Sequence, residues 1–272
     1  MRFGICSEIF KDWADIDRTM AFVRETGYDG IEIAPFTLAQ YVTDIPAAER
    51  RRIAASAEAN GVEVIGLHWL LSGTEGMHVT HPDAAIRRRT ADYLSELARF
   101  CRDVGGSVMV FGSPQQRNLV APLTYEQAFA NAIDTFAAAM PACEVCDVTI
   151  CMEPLSTAET DFCYTAAQTR DLVQAVEDPH FRMMLDTKAM TTETADRPAL
   201  IREFAPYLRH YHANDPNLSG PGWGDVDFGP IFDALRDIDY KHYVSVEVFA
   251  FDPGPEAIAQ RSLAYMRRFV PA

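Results

Sequence analysis

Residues 148–153 read Val-Thr-Ile-Cys-Met-Glu, a short run of β-branched and apolar side chains that ends in a carboxylate. Similar runs recur along the chain, each followed by a polar or Gly/Pro-containing stretch and then by a helical pattern. This alternation is typical of a parallel sheet with helical crossovers. Eight such runs predict an α/β fold, a single (β/α)8 TIM barrel over residues 1–272. The predicted strands are 2–6, 29–33, 62–68, 107–111, 148–153, 182–186, 208–212 and 242–247.

Helical signals separate these strands. Apolar side chains recur at helical spacing over residues 83–104, before Gly105 ends the pattern. Thr124, with Gln127 three positions later, predicts a capping box at the start of the next helix. That helix contains Pro141, which predicts a kink or a break within it.

The charge of the chain limits its partners. The formal net charge is -15, and the mean field of such a protein repels nucleic acid and anionic membranes. No segment approaches the roughly 20 consecutive apolar residues needed to span a bilayer, and the first residues lack a signal-peptide layout. We therefore expect a cytoplasmic protein that binds neither nucleic acid nor membrane.

The six cysteines lie mostly inside apolar-patterned segments. This placement predicts reduced, buried thiols rather than a disulfide framework. Cys143 and Cys146 have metal or redox spacing, but no second pair accompanies them, so we assign them no chemistry.

The last four predicted strands each end in a possible metal ligand. The residues are Glu153, Asp186, His212 and Glu247, at spacings of 33, 26 and 35 residues. Each spacing is about one βα unit, so adjacent strands would direct the four side chains into one mouth of the barrel. A single acidic residue at a strand end is often a turn former or helix cap, but four in succession make that explanation weaker.

Three carboxylates and one imidazole form an oxygen-rich ligand set. Such a set suits one divalent ion and favours Mn²⁺, with Mg²⁺, Co²⁺ and Zn²⁺ as alternatives. An octahedral ion held by four protein ligands keeps two positions, enough for a hydroxyl and a carbonyl oxygen of a substrate. The sequence therefore predicts a metal site with room for a small molecule.

These residues make the chain similar to the sugar phosphate isomerase/epimerase superfamily, which has a xylose isomerase-like barrel, and especially to its D-tagatose and D-psicose 3-epimerases. The resemblance spans nearly the whole chain and is carried by Glu153-Pro-Leu, Asp186-Thr, His212-Ala-Asn-Asp, Glu247 and Pro221-Gly-Trp-Gly-Asp-Val-Asp-Phe228. It implies that Glu153 and Glu247 bind the metal and also act as the acid/base pair on opposite faces of the substrate. It implies that Asp186 and His212 are ligands only. Glu159 matches a substrate-orienting position, although it could equally be a solvated loop residue.

Two positions depart from the family's pattern. The epimerases that the chain resembles have a histidine three residues after the aspartate ligand and an arginine six after the histidine ligand, where this chain has Ala189 and Leu218. Both positions usually contact substrate hydroxyls, so the substrate can differ from those of the family. Lys188 or Arg117 could replace the lost contacts.

Three further side chains are candidates for the substrate pocket. Arg117, after the fourth predicted strand, could bind a phosphate or carboxylate or could be an exposed loop arginine. His68 could donate a hydrogen bond to a sugar or be a structural histidine. Trp69 could form an apolar wall for a sugar ring.

Together these features predict a metal-dependent isomerase of a small sugar or sugar-like ketone. One glutamate would remove a proton next to the ketone, and the enediolate would be reprotonated on the other face or on the neighbouring carbon. The first outcome is epimerisation and the second is aldose–ketose isomerisation. Loss of a β-leaving group would instead give a dehydratase or lyase acting on an inosose or an oxidised sugar. The resemblance to the superfamily also implies a homodimer or homotetramer.

Overall fold

The computed structural model describes residues 1–13 and 15–270, within which eight parallel strands alternate with eight α-helices. The strands are β1 (Arg2–Cys6), β2 (Gly30–Ile33), β3 (Glu63–Leu67), β4 (Val108–Phe111), β5 (Thr149–Met152), β6 (Phe181–Asp186), β7 (Leu208–Ala213) and β8 (Tyr243–Val246). The helices are α1 (Ile16–Thr26), α2 (Ala47–Asn60), α3 (Ala84–Asp103), α4 (Tyr125–Cys146), α5 (Ala166–Val176), α6 (Arg197–Glu203), α7 (Gly229–Asp237) and α8 (Pro255–Met266).

The eight strands close into a barrel. Each strand pairs in parallel with the next, and β8 pairs with β1. The register between β6 and β7 places Met184 beside His210 and Asp186 beside His212. Residues two apart on a strand share a face, so adjacent strands present matched pairs of side chains on one side of the barrel wall. The carboxyl ends of all eight strands open into the same mouth.

The observed strands confirm the predicted ones to within one residue at each end. The predicted TIM barrel is therefore confirmed. Its extension as one domain over residues 1–272 stays a prediction, because residues 14, 271 and 272 lie outside the described part of the chain.

Local capping signals mark the starts of helices α3 and α4. Helix α3 begins after Asp83, whose side chain accepts a hydrogen bond from the Ala85 N–H. Helix α4 begins with the predicted capping box, in which Thr124 and Gln127 bond to each other's backbone N–H groups.

Helix α4 continues through Pro141 to Cys146, so of the predicted kink or break the break does not form. A proline inside a helix costs about 3 kcal/mol. Buried side chains lie on both sides of it, including Met140 and Cys143, and α4 packs along α3. Burial of this long apolar face offsets the cost of the proline.

The prediction about the cysteines holds. All six cysteines are free and buried, as the sequence predicted. Across the described residues, none of the helices combines the length and apolar character required to cross a membrane.

Candidate active site

Four side chains meet at the C-terminal mouth of the barrel. Glu153 directly follows β5, Asp186 ends β6, His212 lies near the end of β7 and Glu247 directly follows β8. Each contributes a ligand atom within 4.8 Å of those of the other three, and all four residues are buried. The barrel therefore brings together the four residues that the sequence proposed as metal ligands.

The three carboxylates of this cluster repel one another. Burial, and then the nearby carboxylates of Asp186 and Glu247, raise the pKa of Glu153 well above its usual range. Burial and Glu247 likewise raise the pKa of Asp186 to about 6. Buried carboxylates at such short range require a compensating positive charge. A divalent ion supplies that charge and matches a donor set of oxygen atoms with one nitrogen, so these residues fit a metal ion.

His212 lies between two carboxylates. Its Nδ1 atom is 3.1 Å from Glu247 Oε2, and its Nε2 atom is 3.1 Å from Glu32 Oε2. Burial alone would lower the pKa of His212, but the two carboxylates raise it well above its usual value. A neutral imidazole has one N–H and can donate to only one of the two. If Nδ1 carries no proton, it and the Glu247 carboxylate are two acceptors in contact, and a cation between them removes that repulsion. This contact also fits a metal ion in the cluster.

Sequence reasoning missed several buried partners of these ligands. Glu32 of β2 is fully buried, and its Oε1 lies 2.6 Å from His210 Nε2. The Asn214 side chain donates to Asp186 Oδ2 at 2.6 Å, and its own oxygen accepts from the Lys188 N–H. Two signals were present in the sequence: a glutamate inside the apolar strand Gly30–Ile33, and a histidine two positions before His212 on the same strand face.

Trp69 forms a hydrogen bond with Glu247, one of the two glutamates of the ligand cluster. Its indole N–H donates to Glu247 Oε1 at 2.8 Å. The indole ring stacks with Phe36, at a centroid distance of 5.3 Å, and with Phe249, at a centroid distance of 6.0 Å. Trp69 has φ 53°, in the left-handed region that bulky residues rarely adopt. Such backbone conformations concentrate at functional sites, where surrounding contacts hold the side chain in place.

His68 is buried and paired instead of open to the mouth. Its Nε2 lies 2.7 Å from Glu8 Oε2, and both side chains are almost fully buried. Glu8 also accepts a hydrogen bond from the Val248 N–H, next to Glu247. This placement favours the structural alternative for His68.

A cavity of about 280 Å³ opens above the ligand cluster. Glu153 and Glu247 both line it, together with Glu159 and the aromatic rings of Trp69 and Phe249. Uncharged polar groups complete the wall, including Ser113, Gln115 and Gln116. The cavity thus combines two potential acid/base groups with an apolar face and neutral hydrogen-bonding side chains.

Lys188 and Glu159 form an ion pair at the edge of this cavity. Lys188 Nζ is 2.6 Å from Glu159 Oε1 and lies 4.2 Å from the centre of the Phe249 ring. Burial alone would lower the pKa of Lys188, but Asp186 and Glu159 raise it, so the ammonium stays charged. Ser156 binds the other Glu159 oxygen. Glu159 is therefore a positioned mouth residue and not a solvated loop residue.

Arg117 is neither an anion-binding side chain nor an exposed loop arginine, the two roles that the sequence suggested. It is fully buried, which contradicts the exposed loop arginine. Its five N–H groups donate to the backbone oxygens of Gly112, Glu153, Phe162 and Cys163, with Phe162 accepting two of them. No guanidinium N–H is left for a substrate phosphate or carboxylate. Arg117 instead ties the end of β4 to Glu153 and to the loop after β5, which sequence spacing cannot reveal.

The two departures from the family's pattern have structural roles here. Ala189 is buried, and its N–H donates to Asp186 Oδ1 at 2.7 Å. Leu218 is exposed, and its backbone oxygen accepts from the N–H groups of Phe249 and Ala250. Neither side chain can donate a hydrogen bond to a substrate hydroxyl, so this mouth is less polar than the family's pattern.

Mn²⁺ affinity is expected to fall as the pH is lowered from 7.5 to 5. The raised pKa of Asp186, about 6, means that a proton competes with the metal within this range. Competition at that one group predicts an affinity about tenfold weaker at pH 5, and the raised pKa values of Glu153 and His212 act in the same direction. Isothermal titration calorimetry at both pH values measures this effect. An affinity independent of pH would show that these groups do not bind the ion.

A model of the family described as xylose isomerase-like TIM barrel matches residues 20–269. Among curated relatives, L-ribulose 3-epimerase of Mesorhizobium japonicum is 26% identical over 253 residues, covering 92% of this chain and 80% of the relative. D-psicose 3-epimerase of Ruminiclostridium cellulolyticum is 27% identical over 262 residues, covering 92% and 84%. The solved structure of D-psicose 3-epimerase from Clostridium cellulolyticum H10 with D-tagatose has a TM-score of 0.85 at 22% identity, covering 100% of both chains.

These relatives confirm the resemblance to the ketose 3-epimerases and the prediction that the chain is an enzyme of the isomerase and epimerase class. The family model extends over most of the barrel, from the middle of α1 to the residues after α8. The chain belongs to the xylose isomerase-like TIM barrel family.

Proposed function

We propose that this chain is a divalent-metal-dependent epimerase of an unphosphorylated ketose or similar sugar ketone. In this proposal Glu153, Asp186, His212 and Glu247 bind one ion, with Mn²⁺ favoured by the donor set. Glu153 and Glu247 are also the acid/base pair. One observation carries the proposal: these two glutamates belong to the four-residue ligand cluster and also line the cavity above it.

The two glutamates reach the cavity from strands β5 and β8, three strands apart around the barrel. When bound, the ion would supply Lewis-acid stabilisation of negative charge on a ketone oxygen. One glutamate takes a proton from the carbon next to the ketone, and the other returns a proton to that carbon from the opposite side. Because epimerisation runs in both directions, the two glutamates exchange the roles of acid and base.

A hydrogen bond keeps one of these carboxylates in place. Trp69 donates to Glu247 Oε1, and His212 Nδ1 lies 3.1 Å from Glu247 Oε2. Burial alone would raise the pKa of Glu247, but His212 outweighs it, so the pKa of Glu247 is lowered. The Trp69 ring also forms part of the apolar wall of the cavity.

The charges around the cavity support a substrate without phosphate. In the described part of the chain, the residues that line it include acidic and neutral polar side chains but neither Lys nor Arg. Arg117 has no free donor, and Lys188 is neutralised by Glu159. Phosphate recognition ordinarily uses free cationic donors or backbone nests. The relatives named as epimerases of D-psicose and L-ribulose agree with an unphosphorylated substrate.

The proposal is tested by turnover of the Mn²⁺-loaded protein in D₂O with detection by NMR. The panel contains free ketoses, 3-keto glycosides, inososes and the 1- and 6-phosphates of the same ketoses. The expected result is an epimer that carries deuterium at the inverted carbon, formed from an unphosphorylated compound. Turnover of the phosphates alone would contradict the substrate proposal, and release of water or another leaving group would instead support the dehydratase or lyase alternative.

Replacing Lys188 with methionine is expected to raise KM about 10-fold or more, because Glu159, which lines the cavity, loses a charged hydrogen-bond partner, and such a bond contributes about 1.5–3 kcal/mol. The methionine keeps the apolar stem over Phe249 but removes the ammonium. Steady-state kinetics on the substrate identified above measure the change. Lys241→Met is the control, since Lys241 is exposed and pairs with Asp239 far from the mouth. An unchanged KM in the Lys188 variant would exclude a part for the Lys188–Glu159 pair in substrate binding.

A homodimer or homotetramer and a cytoplasmic location stay predictions. Light scattering of the purified protein and fractionation of the source cells test them.

A further inference from the structure

Glu32 is a fully buried carboxylate outside the proposed ligand set. It lies on β2, and its two oxygens contact two imidazoles of β7: Oε1 is 2.6 Å from His210 Nε2, and Oε2 is 3.1 Å from His212 Nε2. These groups are far apart in the sequence, and closure of the barrel brings them together. A fully buried carboxylate with two histidine partners needs both N–H groups to satisfy its oxygens.

Carboxylate oxygens lie 3.1 Å from both ring nitrogens of His212, Glu247 at Nδ1 and Glu32 at Nε2. With an ion in the ligand cluster, Nδ1 faces the ion and cannot keep a proton, so the one proton of the neutral ring lies on Nε2, where Glu32 accepts it. The lone pair is then on Nδ1, the nitrogen that lies 3.1 Å from Glu247 in the ligand cluster. The ring also has its orientation fixed, because Glu32 holds Nε2 from the opposite edge.

His210 makes this position selective for a carboxylate over an amide. Its Nε2 atom is closer to Glu32 than that of His212, so one carboxylate serves two donors at once. Each ring faces a different oxygen of Glu32, so both of these positions have to be acceptors. An amide in the same place has a single acceptor and would have to present its NH₂ group to one of the two rings.

We propose that Glu32 is a positioning residue for the metal site, which directs the Nδ1 lone pair of His212 into the ligand cluster by accepting the Nε2 proton. This inference rests on the metal site of the proposed function. It assigns to β2, which contributes no ligand, a part in binding the ion.

The first test is the Mn²⁺ affinity of Glu32→Gln, measured by isothermal titration calorimetry on protein freed of metal. Loss of a carboxylate behind a histidine ligand is expected to weaken binding about 10–100-fold. The amide oxygen is expected to face His210, the nearer donor, so its NH₂ group faces His212 and drives the proton onto Nδ1. An affinity equal to that of the wild type would overturn the proposal.

Two companion variants separate this effect from general damage. Glu8→Gln alters another almost fully buried glutamate–histidine pair, with His68, and is expected to leave the Mn²⁺ affinity unchanged. In the double variant Glu32→Gln with His210→Phe, the amide oxygen no longer has a competing donor and can turn to His212. Partial recovery of affinity is expected there. Equal weakening in Glu8→Gln, or no recovery in the double variant, would indicate a structural role only.

A second measurement does not depend on the folding of any Glu32 variant. Nitrogen NMR of ¹⁵N-histidine-labelled wild-type protein identifies the tautomer of each imidazole, and loading with Zn²⁺, a diamagnetic ion, avoids broadening. His212 is expected to carry its proton on Nε2, with assignment by His212→Gln. A proton on Nδ1 would overturn the proposal. Failure of the wild type to bind any divalent ion would instead refute the proposed function, so the two failures are distinguishable.

Discussion

Replacing Glu153 or Glu247 with glutamine is expected to lower kcat by about 10²–10⁴-fold, the usual contribution of a general acid or base. Both carboxylates line the cavity, and they approach it from strands β5 and β8. Glutamine keeps the size of the side chain and one oxygen as a possible metal ligand, but it cannot accept or return a proton. The measurement is kcat in each variant at saturating Mn²⁺, with the Mn²⁺ affinity measured separately.

Deuterium incorporation distinguishes the two glutamates. If each serves one face of the substrate, a variant that retains one carboxylate can still exchange the proton on that face, so exchange persists in one epimer without formation of the other. Glu63→Gln is the control, since Glu63 lies at the start of β3, at the other end of the barrel, and its side chain is 61% exposed. A kcat within a few-fold of the wild type in both Gln variants would remove the acid/base pair from the mechanism.

Replacing Arg117 with methionine is expected to lower the free energy of unfolding by about 3–5 kcal/mol. The substitution leaves four backbone oxygens without their guanidinium donors in a region where water cannot replace them. One of these is the backbone oxygen of Glu153, so the position of a proposed catalytic carboxylate is also loosened. Urea denaturation of the metal-free protein measures the change in stability.

The control for this substitution is Arg89→Met. Arg89 also donates two hydrogen bonds to a backbone oxygen, that of Gly76, but its side chain is exposed. Water can replace the lost donors there, so a loss of less than about 1 kcal/mol is expected. Equal losses in the two variants would show that burial is not the cause. Arg117→Lys tests geometry, because one ammonium cannot supply five donors in a plane.

The local pattern of the sequence is sufficient for the barrel's elements. Apolar runs such as 148–153 predicted all eight strands to within one residue at each end, because strand length and side-chain alternation depend on neighbouring residues. The capping box of Thr124 and Gln127 also depends on residues three positions apart. Pro141 shows the limit of local reasoning. Whether a proline breaks a helix depends on how much surface the helix buries against distant elements.

The four candidate ligands could also be found without a structure, because their spacing repeats the βα unit and the barrel turns equal spacing into a shared mouth. The residues that surround these ligands could not, because they depend on tertiary contacts. Glu32 meets His212 across 180 positions of sequence, and Arg117 is buried by a loop 45 positions away. Such contacts depend on barrel closure and loop packing, which leave no periodic signal in the chain. Burial and the competition of neighbouring donors then determine whether a charged side chain binds a substrate or holds the fold.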